Sequence, residues 1–204
     1  MNRSVLSLVL ATLLIGAAGR ADAGIIINVQ QVGSDVVATG SGSIDLTGLT
    51  LVSSSGAFDL GRVFPAAGTI LEGPTSGIPL VSEYSGVTGP TSFGPGVSNI
   101  SASSGSGDIF GVAGLFGHIE LPLTYTSGTL LSPATDTYTG TTIAGMGLIP
   151  GTYTYHWGDP THPDPARTLT VQIGPVPEPA SLAIWGLGAL GCAIAGYRRR
   201  KKTA

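Results

Sequence analysis

The sequence predicts an all-β protein: a single β-sandwich or barrel-like ectodomain, followed by one C-terminal transmembrane helix. Three observations carry that expectation. Between positions 24 and 174 apolar residues recur with period two and almost nowhere with helical spacing. The alternating stretches are short and bounded by Gly, Pro, Ser and Asp, as in domains built of many brief strands joined by turns. Near the C-terminus a separate apolar run has the length of a bilayer crossing and precedes five consecutive cations.

Taken in order, Gly24 to Val32, with Ile25-Ile26-Ile27, reads as the first strand, and Gly33-Ser34-Asp35 as a hairpin turn. From Val36 to Leu46 one face carries Val36, Ala38, Gly40, Gly42, Ile44 and Leu46. The other carries Val37, Thr39, Ser41, Ser43 and Asp45, which is the pattern of a half-buried strand. Leu49–Val52, Ile78–Tyr84, Asp108–Ala113, His118–Leu121 and Thr141–Ala144 are further short candidates. The last two strands are the clearest. Gly151–Trp157 alternates Tyr153, Tyr155 and Trp157 against Thr152, Thr154 and His156, and Thr168–Ile173 alternates Leu169, Val171 and Ile173 against Thr168, Thr170 and Gln172. An aromatic row beside an aliphatic row makes a favourable cross-strand face. Between them the prolines at 160, 163 and 165 enforce a loop.

The two ends of the chain read as address signals. Residues 1–23 have the form of a secretory signal peptide: Arg3 supplies the positive start, Val5 to Ala18 the apolar run, and Ala21-Asp22-Ala23 the small-x-small site. Ala21, Ala23 and Gly24 are therefore the expected signal peptidase site, with Gly24 the first mature residue. At the other end Pro177-Glu178-Pro179 precedes an apolar helix expected over about 180–197 and the basic block Arg198, Arg199, Arg200, Lys201 and Lys202. Trp185 and Tyr197 suit the two membrane interfaces, and the basic block acts as a stop-transfer signal that stays cytoplasmic. That orientation leaves the long preceding region outside, in agreement with the signal peptide. An ordinary single-pass anchor behind a proline-rich stalk is the simpler alternative. Cys192 lies within this helix and reads as a small packing residue.

This tripartite end resembles the PEP-CTERM sorting segment of Gram-negative bacteria. The resemblance covers 175–204 most specifically. It extends more loosely to Tyr84–Gly94, Ser106–Gly111, Tyr125–Gly128, Gly147–Tyr153 and Tyr155–Gly158. It implies that Pro177, Glu178 and Pro179 are the recognition element for an exosortase, an integral-membrane cysteine protease or transpeptidase-like enzyme. It further implies anchorage in the inner membrane before processing, then a place at the cell surface or in an extracellular polysaccharide matrix. Partners on this reading are signal peptidase and the export machinery, the exosortase, the inner membrane and extracellular polysaccharide. It names a route and no reaction.

Composition narrows the function classes. The ectodomain, 24–174, is roughly 150 residues, enough for one core. It carries Asp35, Asp45, Asp59, Glu72, Glu83, Asp108, Glu120, Asp136, Asp159 and Asp164 against Arg62 and Arg167 alone. So acidic a surface does not bind nucleic acid by neutralising phosphates. The chain's one cysteine, Cys192, lies outside the ectodomain, so no disulfide framework forms there.

Catalytic signatures are not found, and no cofactor, metal site or enzymatic activity is expected. His156 and His162 flank Asp159, with Asp164 following, which are metal-ligand residue types in what reads as a solvated loop. His118 and Asp108 lack a nucleophile elbow, and G-x-S-x-G is absent. Ser104–Gly107 lacks the ending of a phosphate loop, and Asn99-Ile100-Ser101 matches a glycosylation acceptor by chance. Paired carboxylates for glycoside hydrolysis depend on spacing in space. Calcium binding by the acidic surface has no EF-hand loop behind it. A carbohydrate-binding module would draw on Tyr84, Phe93, Tyr125 and Tyr138, residues whose ordinary role is core packing.

Overall fold

The computed structural model describes residues 24–54, 60–77, 79–159, 161–162 and 164–174. The expected signal peptide, sorting motif, transmembrane helix and basic tail lie outside the described residues, apart from Gly24. Among the described residues no helix is long and apolar enough to cross a membrane.

Thirteen strands form the described domain: β1 (Ile25–Val32), β2 (Asp35–Ser41), β3 (Thr50–Ser53), β4 (Arg62–Phe64), β5 (Thr69–Glu72), β6 (Val81–Ser85), β7 (Ile100–Ser101), β8 (Ser104–Ser106), β9 (Phe110–Ala113), β10 (His118–Pro122), β11 (Ala134–Tyr138), β12 (Gly151–His156) and β13 (Thr168–Ile173). They make a six-stranded sheet, in the order β12-β13-β1-β2-β11-β8, and a seven-stranded sheet, in the order β3-β6-β10-β9-β5-β4-β7. Two separate sheets with free edges make this a sandwich, which resolves the choice between sandwich and barrel.

The period-two pattern does what it predicts. Ile25, Ile27 and Val29 of β1, Val36 and Ala38 of β2, and Leu169, Val171 and Ile173 of β13 are all buried. From the opposite sheet Val63, Ile70, Phe110, Val112, Ile119 and Leu121 join the same core cluster. The aromatic and aliphatic rows of the last two strands meet as expected, Tyr153 opposite Val171 and Tyr155 opposite Leu169. The chain's first strand pairs parallel with its last, Ile25 to Leu169 through Val29 to Ile173.

Two hairpins of the seven-stranded sheet share one design. β4 and β5 are joined by a 3-10 turn at Pro65–Ala67, and β9 and β10 by one at Gly114–Phe116. Each turn ends on a left-handed glycine, Gly68 at φ 55° and Gly117 at φ 63°. Any side chain there would meet the usual left-handed penalty.

The expectation fails in identifiable places. Thr141–Ala144 is a turn, not a strand: Met146 N–H donates to the Thr142 carbonyl at 2.9 Å and Gly145 N–H to the Thr142 hydroxyl at 2.9 Å. A threonine hydroxyl that captures a nearby N–H competes with sheet pairing. The second strand stops at Ser41 rather than Leu46, because Gly42 turns at φ 138°. Beyond it the Tyr125 hydroxyl takes up Ile44 N–H at 2.7 Å. β4, β5, β7, β8 and β11 were not anticipated. Among the buried polar side chains, Glu72 on β5 and Asp136 and Tyr138 on β11 stand out because they carry oxygens without hydrogen-bond partners.

One ion pair fastens the loop after β2 to the start of β13. Asp45 accepts from Arg167 Nε at 2.8 Å and from Thr47 N at 3.0 Å and Thr47 Oγ1 at 2.7 Å, while its carbonyl accepts from Trp157 Nε1 at 2.8 Å. The Thr47 amide above all, with the Thr47 hydroxyl and Arg167, holds the Asp45 carboxyl down to about 2. A depressed folded pKa gives stability that is present above the ordinary aspartate value and lost as pH falls toward 2. Asp45→Asn is therefore expected to cost on the order of 1–2 kcal/mol near neutral pH. Thermal melts of the two chains should converge between about pH 4 and pH 2, the window set by those two values.

Candidate functional site

The outward face of the seven-stranded sheet holds a groove built by strand register. On β5 Ile70 turns into the core, so Thr69 and Leu71 face outward; on β9 Phe110 and Val112 are inward and Gly111 and Ala113 outward. The pairing aligns these residues in rows across the sheet. One row runs Ser101, Arg62, Leu71, Gly111, Glu120, Glu83 and Ser53. The next runs Phe64, Thr69, Ala113, His118, Ser85 and Thr50. Small residues at the centre of both rows leave a depression of about 320 Å3, lined by Arg62, Phe64, Thr69, Ala113, Glu83 and Glu120, with Asn99 and Phe116 also contributing.

Its chemistry is polarised. Glu83 and Glu120 stand directly opposite one another on adjacent strands, a placement that sets their Cβ atoms about 5 Å apart. His118 Nδ1 lies 2.5 Å from Glu83 Oε1 and draws that carboxylate to one side. Arg62 is three strands from Glu120, about 14 Å at ordinary strand spacing. Phe116 is 66% exposed beside this floor, its ring centroid 6.3 Å from that of His118. The result is a shallow trough of mixed polar and apolar lining, with an acidic end, a basic end and an aromatic on its wall.

Sequence reasoning pointed to other aromatics. Phe93 and Tyr138 are buried, and Tyr84 and Tyr125 pack against the core, so none of the four lines this groove. The groove's aromatics are Phe64 and Phe116, and the signal that identifies Phe116 is its position in a tight turn beside two glycines. His118 partners Glu83 and not Asp108, whose carboxylate accepts Ser132 N–H at 2.8 Å. His162 pairs with Asp159 at 3.0 Å on the surface, while His156 lies exposed on β12 with its backbone bridged to Thr88. Among the described residues no three His, Cys, Asp or Glu side chains gather as a metal cluster. Ser104–Ser106 forms strand β8, and Asn99 is exposed at the groove.

Of the residues expected to carry the sorting signals, Gly24 alone is described. It is buried, and its N–H donates to the Pro165 carbonyl at 2.9 Å. A Cβ at this position would stand 1.9 Å from the Thr168 carbonyl oxygen. Pro177, Glu178, Pro179, Ala21, Ala23 and the block Arg198 to Lys202 fall outside the described residues.

Comparison with known proteins places the C-terminal segment. Residues 175–201 match the family model of the PEP-CTERM protein-sorting motif. The motif implies processing by an exosortase, and with it an exported chain anchored in the membrane before that processing. No curated protein and no solved structure matches the chain.

The packing at Gly24 makes the residue after the expected cleavage site a structural requirement of the fold. Gly24→Val should lower the melting temperature by about 3–8 °C, the range set by an overpacking cost of about 1–3 kcal/mol. Gly33→Val, at a turn glycine with open space around it, would test backbone strain alone and should cost less.

Proposed function

We propose that the protein is a non-enzymatic ectodomain displayed at the cell envelope, or released into an extracellular polysaccharide matrix, after exosortase processing at Pro177-Glu178-Pro179. The observation that carries this reading is the junction at Gly174. The final strand β13 ends at Ile173, and Gly174 N–H still donates to the Val29 carbonyl at 2.9 Å. The match to the sorting motif begins at the next residue, 175. All described secondary structure is therefore complete before the sorting segment starts, and cleavage within the motif would leave the sandwich whole.

A second reading is favoured by the groove. A trough lined by two adjacent carboxylates, an arginine and an exposed Phe116 has the donors, acceptors and flat apolar surface that recognise a polyhydroxylated ligand. On this reading the displayed domain holds polysaccharide rather than cutting it.

Two measurements test these proposals. The mass of the C-terminal peptide, recovered separately from inner membrane, outer surface and medium, should end near 177–181 outside the inner membrane. An intact terminus at Ala204 confined to the inner membrane would refute processing. For the groove, retardation of the protein in polysaccharide affinity gels should weaken at least tenfold in Phe116→Ala with an unchanged melting temperature. That corresponds to about 1.4 kcal/mol of binding. Equal migration of both chains, with and without polysaccharide, would remove the carbohydrate reading.

A further inference from the structure

Between the two sheets lies a cluster of oxygen atoms that protein groups leave unpaired. Glu72 closes β5 on its inward side and has no exposed surface; neither carboxylate oxygen has a hydrogen-bond partner. Asp136, also without exposed surface, projects inward from β11, where strand pairing sets it between Ala38 and Gly105. Its Oδ1 accepts a long bond from Gly73 N–H at 3.4 Å, and its Oδ2 accepts none. Tyr138, two residues on along the same strand and 1% exposed, has an unpaired hydroxyl. A phenol is an independent, neutral member of the cluster, and it lies close enough to interact electrostatically with both carboxylates.

The backbone packs closely around the Asp136 carboxylate on the sides where glycines stand. A Cβ on Gly61 would sit 2.2 Å from Asp136 Oδ2, and one on Gly105 would sit 2.1 Å from Asp136 Oδ1 and 2.1 Å from the Gly73 carbonyl oxygen. Three glycines from three loops or strands, 61, 73 and 105, thus converge on this one side chain. A buried carboxylate ordinarily recruits an arginine, a lysine or several N–H donors. Here no basic group is among the electrostatic partners of either acid.

The donor set is oxygen throughout: two carboxylates, a phenol and the nearby Gly73 carbonyl. Oxygen-only sets with two formal negative charges match hard divalent cations, which take carboxylate and carbonyl oxygens at about 2.3–2.6 Å in the case of calcium. Oxygens that share such an ion stand roughly 3–5 Å from one another, wider than a hydrogen bond. That spacing accounts for a phenol close to two carboxylates yet bonded to neither. We propose that Glu72, Asp136 and Tyr138 form a buried site for one Ca2+ ion, which joins β5 of one sheet to β11 of the other.

The energetic alternative is that the acids are neutral. Burial pushes the Glu72 carboxyl well above its ordinary range, with the nearby Asp136 charge adding to the effect, and burial pushes Asp136 up to about 7. Burial without a counter-ion disfavours the charged forms, a cost that a divalent cation between the carboxylates would offset. With both acids ionised, a buried water could satisfy the hydroxyl but would leave two like charges uncompensated. The site rests on the sandwich alone and is independent of the sorting reading.

The test uses the full chain, purified in detergent and stripped with EDTA. It is melted near neutral pH in EDTA, in about 5 mM CaCl2 and in about 5 mM MgCl2, and titrated with CaCl2 by calorimetry. Binding of one equivalent is expected, with a rise in melting temperature of about 3–8 °C in calcium and less in magnesium. Asp136→Asn and Glu72→Gln should abolish both the heat and the shift, whereas Glu83→Gln, on the outward face, should retain them. A chain that takes up no Ca2+ and melts alike in EDTA and CaCl2 overturns the proposal. Weak binding at several sites that survives in Asp136→Asn overturns it too, because it locates calcium on the acidic surface. Should both core variants fail to fold, the titration of the unmodified chain decides alone, through the presence or absence of a single saturable equivalent.

Discussion

The sandwich depends on the parallel pairing of β1 with β13. β1 is an interior strand of the six-stranded sheet, bonded to β13 on one side and β2 on the other. β12 joins that sheet through β13 alone, so the buried Tyr155 reaches the core only once the ends of the domain have met. Smaller ties converge on the same seam: Gly24 to Pro165, Asp45 to Ala166, Trp157 Nε1 to Asp45 and Gly174 to Val29. Closing a loop of more than a hundred residues adds entropy only logarithmically, but the contacts that repay it form late. A chain so closed cannot complete its fold until its last strand is available. The match to the sorting motif begins directly after that strand, at residue 175.

How much of this was legible follows from what each strand must bury. β1, β2, β12 and β13 were readable because each sends regular alternating apolar side chains into one core, and their burial follows that alternation. β11 was not, though Ala134, Asp136 and Tyr138 alternate inward as strictly as any. An aspartate at the central core position breaks the hydrophobic pattern that defines a strand on paper. β5 hides for a related reason: Thr69-Ile70-Leu71-Glu72 is buried on both faces and ends on a carboxylate. Two of the five strands that sequence reasoning passed over, β5 and β11, carry the anomalous acids. Local pattern fails where the fold has placed a polar group for some purpose other than packing.

The groove was illegible for a different reason. Arg62, Glu83, Glu120 and Phe116 have unremarkable neighbours in sequence, and nothing in the chain announces that Glu83 will face Glu120. Their meeting is a product of register among strands separated by tens of residues. Register is set by the inward face, where a slip of one residue would turn Ile119 and Leu121 out of the core and Glu120 into it. The outward row is therefore a consequence of core packing, and the trough along it comes from Gly111 and Ala113, residues with too little side chain to fill the sheet surface.

Both sites share β5. Thr69 faces outward into the groove while Glu72, three residues along the same strand, faces inward toward Asp136. In the absence of disulfides the only covalent links between the sheets are the backbone connections, and the core holds them together by non-directional packing. A directional tie at Glu72 supplies what packing lacks. Ligation between β5 and β11 would set the height of β5 against the opposite sheet and, through it, the floor of the trough. β5 also bonds to β9, which contributes Gly111 and Ala113, so the constraint reaches the middle of both outward rows. Occupancy of the buried site and the shape of the exposed one are then coupled through a four-residue strand. Whatever the groove holds, such a tie would constrain its geometry from behind.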